Sequence, residues 1–92
     1  MKAIVIIMKK LGRVPKGSRV EVVAVRGEGD LTGRLSALGF LPGKTVEIIH
    51  IAPLRDPITV RIDDLEISIR RADADHVEVR SIETRPYSPS PA

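Results

Sequence analysis

Helical spacing appears in one stretch of the chain, Asp30–Gly43, while the segments on both sides of it alternate as strands do. This limits the fold to a sheet with one short helix laid on it. Leu31, Leu35 and Leu38 recur at spacings of four and three and so share one helix face. Asp30 is placed to cap the start through its carboxylate. Gly39 stands where the chain must leave the helix, and a left-handed residue there costs glycine nothing but costs a residue with a Cβ about 1 kcal/mol or more. Leu41-Pro42-Gly43-Lys44 then reads as a type II turn, with proline setting one φ and glycine accepting the positive one. A helix this short is marginal alone. Its leucine face is therefore expected to lie on a sheet as a lid over a small barrel, with Phe40 in the core at the junction.

The strands follow from period-two alternation. Pro15-Lys16-Gly17 is a turn, and Arg19–Val25 puts Val20, Val22 and Ala24 on one side. Arg26–Asp30 is a glycine-containing turn without the Gly-Lys-Ser/Thr of a phosphate loop. Thr45–Ile51 places Val46 and Ile48 inward, while Ile49 and Ile51 break the pattern and imply that the second face is also covered. Ala52-Pro53-Leu54-Arg55-Asp56-Pro57 is a rigid loop, because each proline restricts the residue before it. Ile58–Ile62 and Leu65–Ile69 alternate strictly around Asp63-Asp64, which predicts a tight hairpin. Arg70–Asp75 suits a single helical turn, and Val77–Ile82 closes the sheet. The fold class expected is all-β: a small barrel of five core strands with one short helix.

The ends read differently. Residues 1–10 form an apolar extension, and Ala3–Met8 is continuously aliphatic. It reads as an added edge strand, a patch buried in a homo-oligomer, or a poorly ordered extension, and Met8 is itself a plausible start of translation. Residues 11–82 form the domain. Residues 83–92, with the Pro86-to-Pro89 spacing, read as a Pro-rich flexible tail.

With 92 residues the chain makes one small domain. No cysteine is present, which excludes disulfides and thiolate metal sites. The aliphatic run is too short to cross a bilayer, so a cytoplasmic protein without membrane insertion is expected. The net charge of +3 comes from 15 basic and 12 acidic residues, mostly interspersed. A local basic stretch, Lys9 to Arg19, lacks a recognition-helix pattern and base-stacking aromatics, so no nucleic acid is expected. No acid, base or nucleophile set converges around His50 or His76, and the chain reads as a non-enzyme without a required cofactor. Asp73, Asp75 and His76 are weak candidates for binding Fe²⁺, Mn²⁺ or Zn²⁺, since they supply carboxylate and imidazole donors in one loop.

The order of these elements, with Leu38-Gly39-Phe40-Leu41-Pro42-Gly43 before a strand and Ala52-Pro53-Leu54-Arg55-Asp56-Pro57 after it, resembles the FeoA family. The match runs from about Leu11 to Ile82. The resemblance implies an SH3-like barrel, similar also to the C-terminal domain of diphtheria-toxin-repressor-type iron-dependent regulators. It further implies a cytosolic accessory role in ferrous iron uptake, at the inner face of the membrane, with the cytosolic part of a FeoB-type permease as partner. The alternative it implies is a metal-sensing module partnering a transcriptional regulator. Where the family commonly has a basic pair before the helical leucine, this chain has Gly33-Arg34.

A small barrel must keep its alternating valines and isoleucines inside, so contact residues are expected on the helix and on loops held by proline. Arg34, Leu41, Leu54 and Arg55 are the predicted partner-binding residues. Leu31, Leu35, Leu38, Gly39, Pro42, Gly43, Pro53 and Pro57 are predicted to support them. The competing reading has both arginines solvated and both exposed-loop leucines in the core.

Overall fold

The computed structural model describes residues 2–86, with side chains described through Ser81. Met1 and the proline-rich segment 87–92, with Pro89 and Tyr87, lie outside the described residues. Six strands form: β1 (Lys2–Lys10), β2 (Arg19–Val25), β3 (Thr45–Ile51), β4 (Ile58–Ile62), β5 (Leu65–Ile69) and β6 (Val77–Pro86). They make one antiparallel sheet in the order β1-β6-β2-β3-β4-β5. Helix α1 spans Asp30–Ala37 and the single-turn α2 spans Arg71–Ala74, with 3₁₀ turns at Leu11–Arg13 and Pro53–Arg55.

This corrects the expected closed barrel of five strands and one helix. The sheet is open, six-stranded, and accompanied by two short helices. Closure would require a strand to pair with the free side of β5. The last strand cannot do so, because β2 occupies one of its sides and β1 the other. Beside β5, Leu31 and Leu35 of α1 instead line a groove with Ile69. The aliphatic run at the N-terminus is thus a full edge strand, paired with β6 from Lys2↔Pro86 to Lys10↔Glu78.

The core follows the alternation, interrupted at two places. Val20, Val22, Val46, Ile48, Ile58, Val60, Ile62, Ile69, Val77 and Val79 are buried, joined by Leu11, Val14, Leu35, Phe40 and Ala74. The β2–β6 register shifts between Val22 and Ala24, and the β3–β4 register between Ile48 and His50. An extra residue in one strand reverses the inside–outside order beyond it. Val25 and Ile51 therefore pack against the core although each lies three residues from a buried neighbour. Ile51 thus belongs to the core face resumed after a bulge, whereas Ile49 is half-buried and outside the core cluster.

Local chemistry sets the ends of the elements. Asp30 does not cap α1; Gly29 occupies that position without a side-chain bond, and Asp30 is the first helical residue. Its carboxylate still sits in the first turn, where the helix dipole favours negative charge. At the other end Gly39 has φ +111°. Phe40 N–H donates to Leu35 O at 3.1 Å and Gly39 N–H to Ser36 O at 3.0 Å. These two bonds form a Schellman motif. The pair that such a motif brings together, Leu35 and Phe40, is buried. The type II turn follows, with Gly43 at φ +91° and Lys44 N–H bonded to Leu41 O at 3.0 Å. The β4–β5 hairpin turns on Asp63 and Asp64 at φ +49° and +69°, as a type I′ turn requires.

Candidate docking surface

The predicted partner residues are all on the surface, but they do not form one patch. Leu54 is 97% exposed and Leu41 43% exposed, so neither belongs to the core. Arg34 and Arg55 are exposed as well, and neither makes an ion pair among the described residues. Leu41 precedes β3 and Leu54 follows it. Seven extended residues separate the two ends of β3 by about 20 Å. Leu41 therefore stands apart, near the hairpin turn, where Lys44 Nζ meets Asp63 Oδ2 at 2.7 Å.

Arg34 and the Leu54–Arg55 loop both lie toward the Arg70–Arg71 end of β5, Arg34 through a groove it shares with Arg70 and the loop through a bond from Asp56 to Arg71. Arg34 lines a groove of about 220 Å³ with Leu31, Leu38, Ile69, Arg70 and Asp73. Leu38, expected on the packed face of α1, is 42% exposed at this groove, and Leu35 is the helix residue that is fully buried. The difference is geometric. Leu38 lies at the helix C-cap, where the chain turns toward Gly39, and only the middle of a two-turn helix can press its face fully on the sheet.

The loop beside this groove is held from two directions. Ala52 N–H donates to Pro57 O at 3.1 Å and Arg55 N–H to Ala52 O at 2.8 Å, closing the loop on itself. Asp56 Oδ1 accepts from Arg71 N–H at 3.0 Å. Arg71 is the first residue of α2, and Arg70 before it offers no side-chain cap. Asp56 thus satisfies a helix N–H from a distant loop and ties that loop to α2. Leu54 and Arg55 both adopt positive φ, +65° and +68°. Non-glycine residues there cost about 1–3 kcal/mol and persist only where the surroundings fix them. Here two prolines and the Asp56 bond fix them, and the outcome is a leucine side chain presented almost entirely to solvent.

Arg70 and Asp56 were not found by sequence reasoning. Asp56 belongs to the Ala52–Pro57 element but its role comes from a contact fifteen residues away, and Arg70 gains its place from α1 packing beside β5.

The metal candidates do not converge. Asp73 lines the α1 groove, whereas Asp75 lies by Gly12 and Arg13, its Oδ1 at 3.7 Å from Arg13 Nε. His76 faces Gly27 and shares a cleft of about 260 Å³ with Asp75, Lys10, Arg26 and Glu78, so two of the three candidates meet there and Asp73 does not. Among the described residues no group of three His, Cys, Asp or Glu is placed to hold a metal ion. Asp73 at the end of a one-turn helix points to the α1 groove and away from Asp75 and His76, so adjacency in sequence did not bring all three donors together.

The chain is thus a small open β domain with two short helices, whose surface carries an exposed leucine loop and an arginine-flanked groove. The chain is a member of the FeoA family: the FeoA domain matches residues 9–81. That family is a small ferrous-iron-transport accessory domain with SH3-like fold relatives. The chain is 40% identical over 83 residues to the Fe(2+) transport protein A/Fe(2+) transporter FeoB fusion protein of Porphyromonas gingivalis, covering 90% of this chain and 10% of that protein. It thus spans about a tenth of the length of that curated relative. Among solved structures, it is similar to iron(II) transport protein A of Clostridium thermocellum, at 37% identity and a TM-score of 0.72 over 76% of this chain and 43% of that one. It is likewise similar to the FeoA protein of Chlorobium tepidum, at 34% identity and a TM-score of 0.70 over 76% and 67% of the two chains.

Proposed function

We propose that this FeoA-family domain is a non-catalytic accessory of ferrous iron uptake that docks on the cytosolic part of a FeoB-type permease and modulates its assembly or activity. The observation that carries the reading is the similarity to a protein in which transport protein A and transporter FeoB share one chain. Covalent joining in that relative keeps the two functions within reach of each other, which supports a docking surface on this domain. In this reading the surface is the α1 groove and the Leu54–Arg55 loop. Leu54 and Leu38 supply apolar contact, and Arg34, Arg55 and Arg70 select an acidic rim on the partner. Binding to a loop already fixed by Pro53, Pro57 and Asp56 loses little ordering entropy. Leu41 lies outside this surface.

No helix among the described residues is long and apolar enough to cross a membrane. The proposed position at the inner face of the membrane is accordingly one held through the partner. No resident metal enters the reading, because Asp73 lies apart from Asp75 and His76 and no three donors converge among the described residues.

The test is binding of the purified chain to a FeoB-type permease in detergent or nanodiscs. Arg34→Glu with Arg55→Glu reverses two exposed charges, each expected to change stability by no more than about 0.5 kcal/mol. Like charge against an acidic partner surface then weakens association. The double variant is expected to keep its melting temperature and lose at least tenfold in affinity. Unchanged affinity in the folded variant removes this face from the proposal.

A further inference from the structure

The N-terminal strand β1 lies almost wholly outside residues 9–81, so the family domain does not account for it. Its pairing makes it unusual. Only residues Val77–Arg80 of β6 pair with β2, whereas β1 pairs with β6 along its whole length. From Lys2↔Pro86 to Ile7↔Ser81 the sheet is therefore a two-stranded arm extending past β2. Two strands alone are marginal in water and need a third strand or a covering layer.

The two free sides of that arm differ in composition. The β6 side is written Ser81-Ile-Glu-Thr-Arg-Pro86, with charges and a proline that lacks an N–H, the features that protect sheet edges. The β1 side is Ala3-Ile-Val-Ile-Ile-Met8, with neither charge nor proline. On one face of β1, Ile4 is 74%, Ile6 57% and Met8 49% exposed. A long apolar edge without protection invites another strand.

We infer that β1 pairs antiparallel with β1 of a second copy of this chain, making a two-fold dimer with a continuous twelve-stranded sheet. The edge is self-complementary, apolar from Ala3 to Met8 between Lys2 and Lys9, and the lysines set the register. With Val5 opposite Val5 of the second copy, Ile4 meets Ile6, Ala3 meets Ile7 and Lys2 meets Met8, while Lys9 and Lys10 fall beyond the paired segment. Every residue from Lys2 to Met8 is then paired and no lysine faces a lysine. Moving the axis to Ile6 would set Lys2 against Lys10, and like charges directly opposite are destabilising. A two-fold axis normal to the sheet keeps the exposed isoleucines of both copies on one face, where they form cross-strand pairs. The inference is independent of the permease-docking proposal, since the arm and the Leu54 loop use different residues.

The experiment is sedimentation velocity on three full-length proteins: the parent, a lysine variant (Ile4→Lys with Ile6→Lys) and a glutamate variant (Ile4→Glu with Ile6→Glu). The parent is expected to dimerise with rising concentration. Each variant alone sets like charges opposite one another and is expected to self-associate at least tenfold more weakly. An equimolar mixture of the two sets lysine against glutamate in the proposed register and is expected to recover a heterodimer. Because the chain has no cysteine, Val5→Cys supplies a second readout: it is expected to cross-link to a dimer on oxidation, and more completely than Ile7→Cys. A parent that stays monomeric to millimolar concentration, variants that associate like the parent, a mixture without heterodimer, or Ile7→Cys cross-linking as well as Val5→Cys would each overturn the proposal.

Discussion

Gly39 and Gly33 sit six residues apart at one helix, yet replacing each with alanine is expected to move stability in opposite directions. At Gly39 the backbone holds φ +111°, beyond the left-handed well near +57° that a residue with a Cβ tolerates best. Entering that half of the map costs such a residue about 1–2 kcal/mol, and the excess over the well puts Gly39 at the upper end. The added Cβ would lie 3.4 Å from Ile62 Cγ2, an ordinary contact that adds little. The expected loss for Gly39→Ala is thus about 2 kcal/mol, which for a domain of this size lowers Tm by about 8–16 °C. Valine, branched at Cβ, is expected to lose about 3 kcal/mol. Gly33 lies inside α1 and is exposed, and a Cβ added there would meet nothing within 4 Å. At that position the only change is removal of glycine's freedom in the unfolded chain, so Gly33→Ala is expected to gain about 1 kcal/mol. Urea titrations followed by circular dichroism would measure both, with the slope checking that the unfolded state is unchanged. A Gly39→Ala protein melting with the parent would refute the Schellman stop as the element that fixes the helix end.

Three other outcomes follow from the same geometry. Asp64 at φ +69° in the type I′ turn is better served by glycine, and Asp64→Gly is expected to raise Tm by several degrees, leaving the Lys44–Asp63 pair intact; a lower Tm would contradict the turn assignment. Anaerobic calorimetry with Fe²⁺ is expected to show no sub-micromolar site at one metal per chain, and the appearance of one that His76→Ala abolishes would make Asp73, Asp75 and His76 ligands after all. Asp56→Ala removes the acceptor for Arg71 N–H and is expected to cost about 1 kcal/mol and to loosen the Leu54 loop. Faster hydrogen exchange at Arg55 and Arg71 would register that loosening, and unchanged exchange would show that the prolines alone hold the loop.

What the sequence determined by itself is local. Strict alternation on both sides of Asp63-Asp64 was sufficient for a hairpin whose strands end at the residues expected. Leucine spacing followed by Gly39 and Pro42-Gly43 was sufficient for the helix, its stop and the turn after it, because each depends on backbone preferences within a few residues. The rest was decided by contacts between distant parts of the chain. Whether Lys2–Lys10 would be strand, extension or interface depended on β6, at the other end of the chain, which also took the position that closure of a barrel would have needed. The register shifts after Val22 and Ile48 are set by pairing with β6 and β4, and they turned Val25 and Ile51 inward against the simple alternation. At the candidate surface, sequence chose Arg34, Leu54 and Arg55 by the reasoning that loops and lids must provide contacts. Only the tertiary structure set Leu41 about 20 Å away, turned Asp73 away from Asp75 and His76, and brought in Arg70 and Asp56. Side-chain direction at the end of a short helix, and proximity across a sheet, are properties of packing that no local pattern encodes.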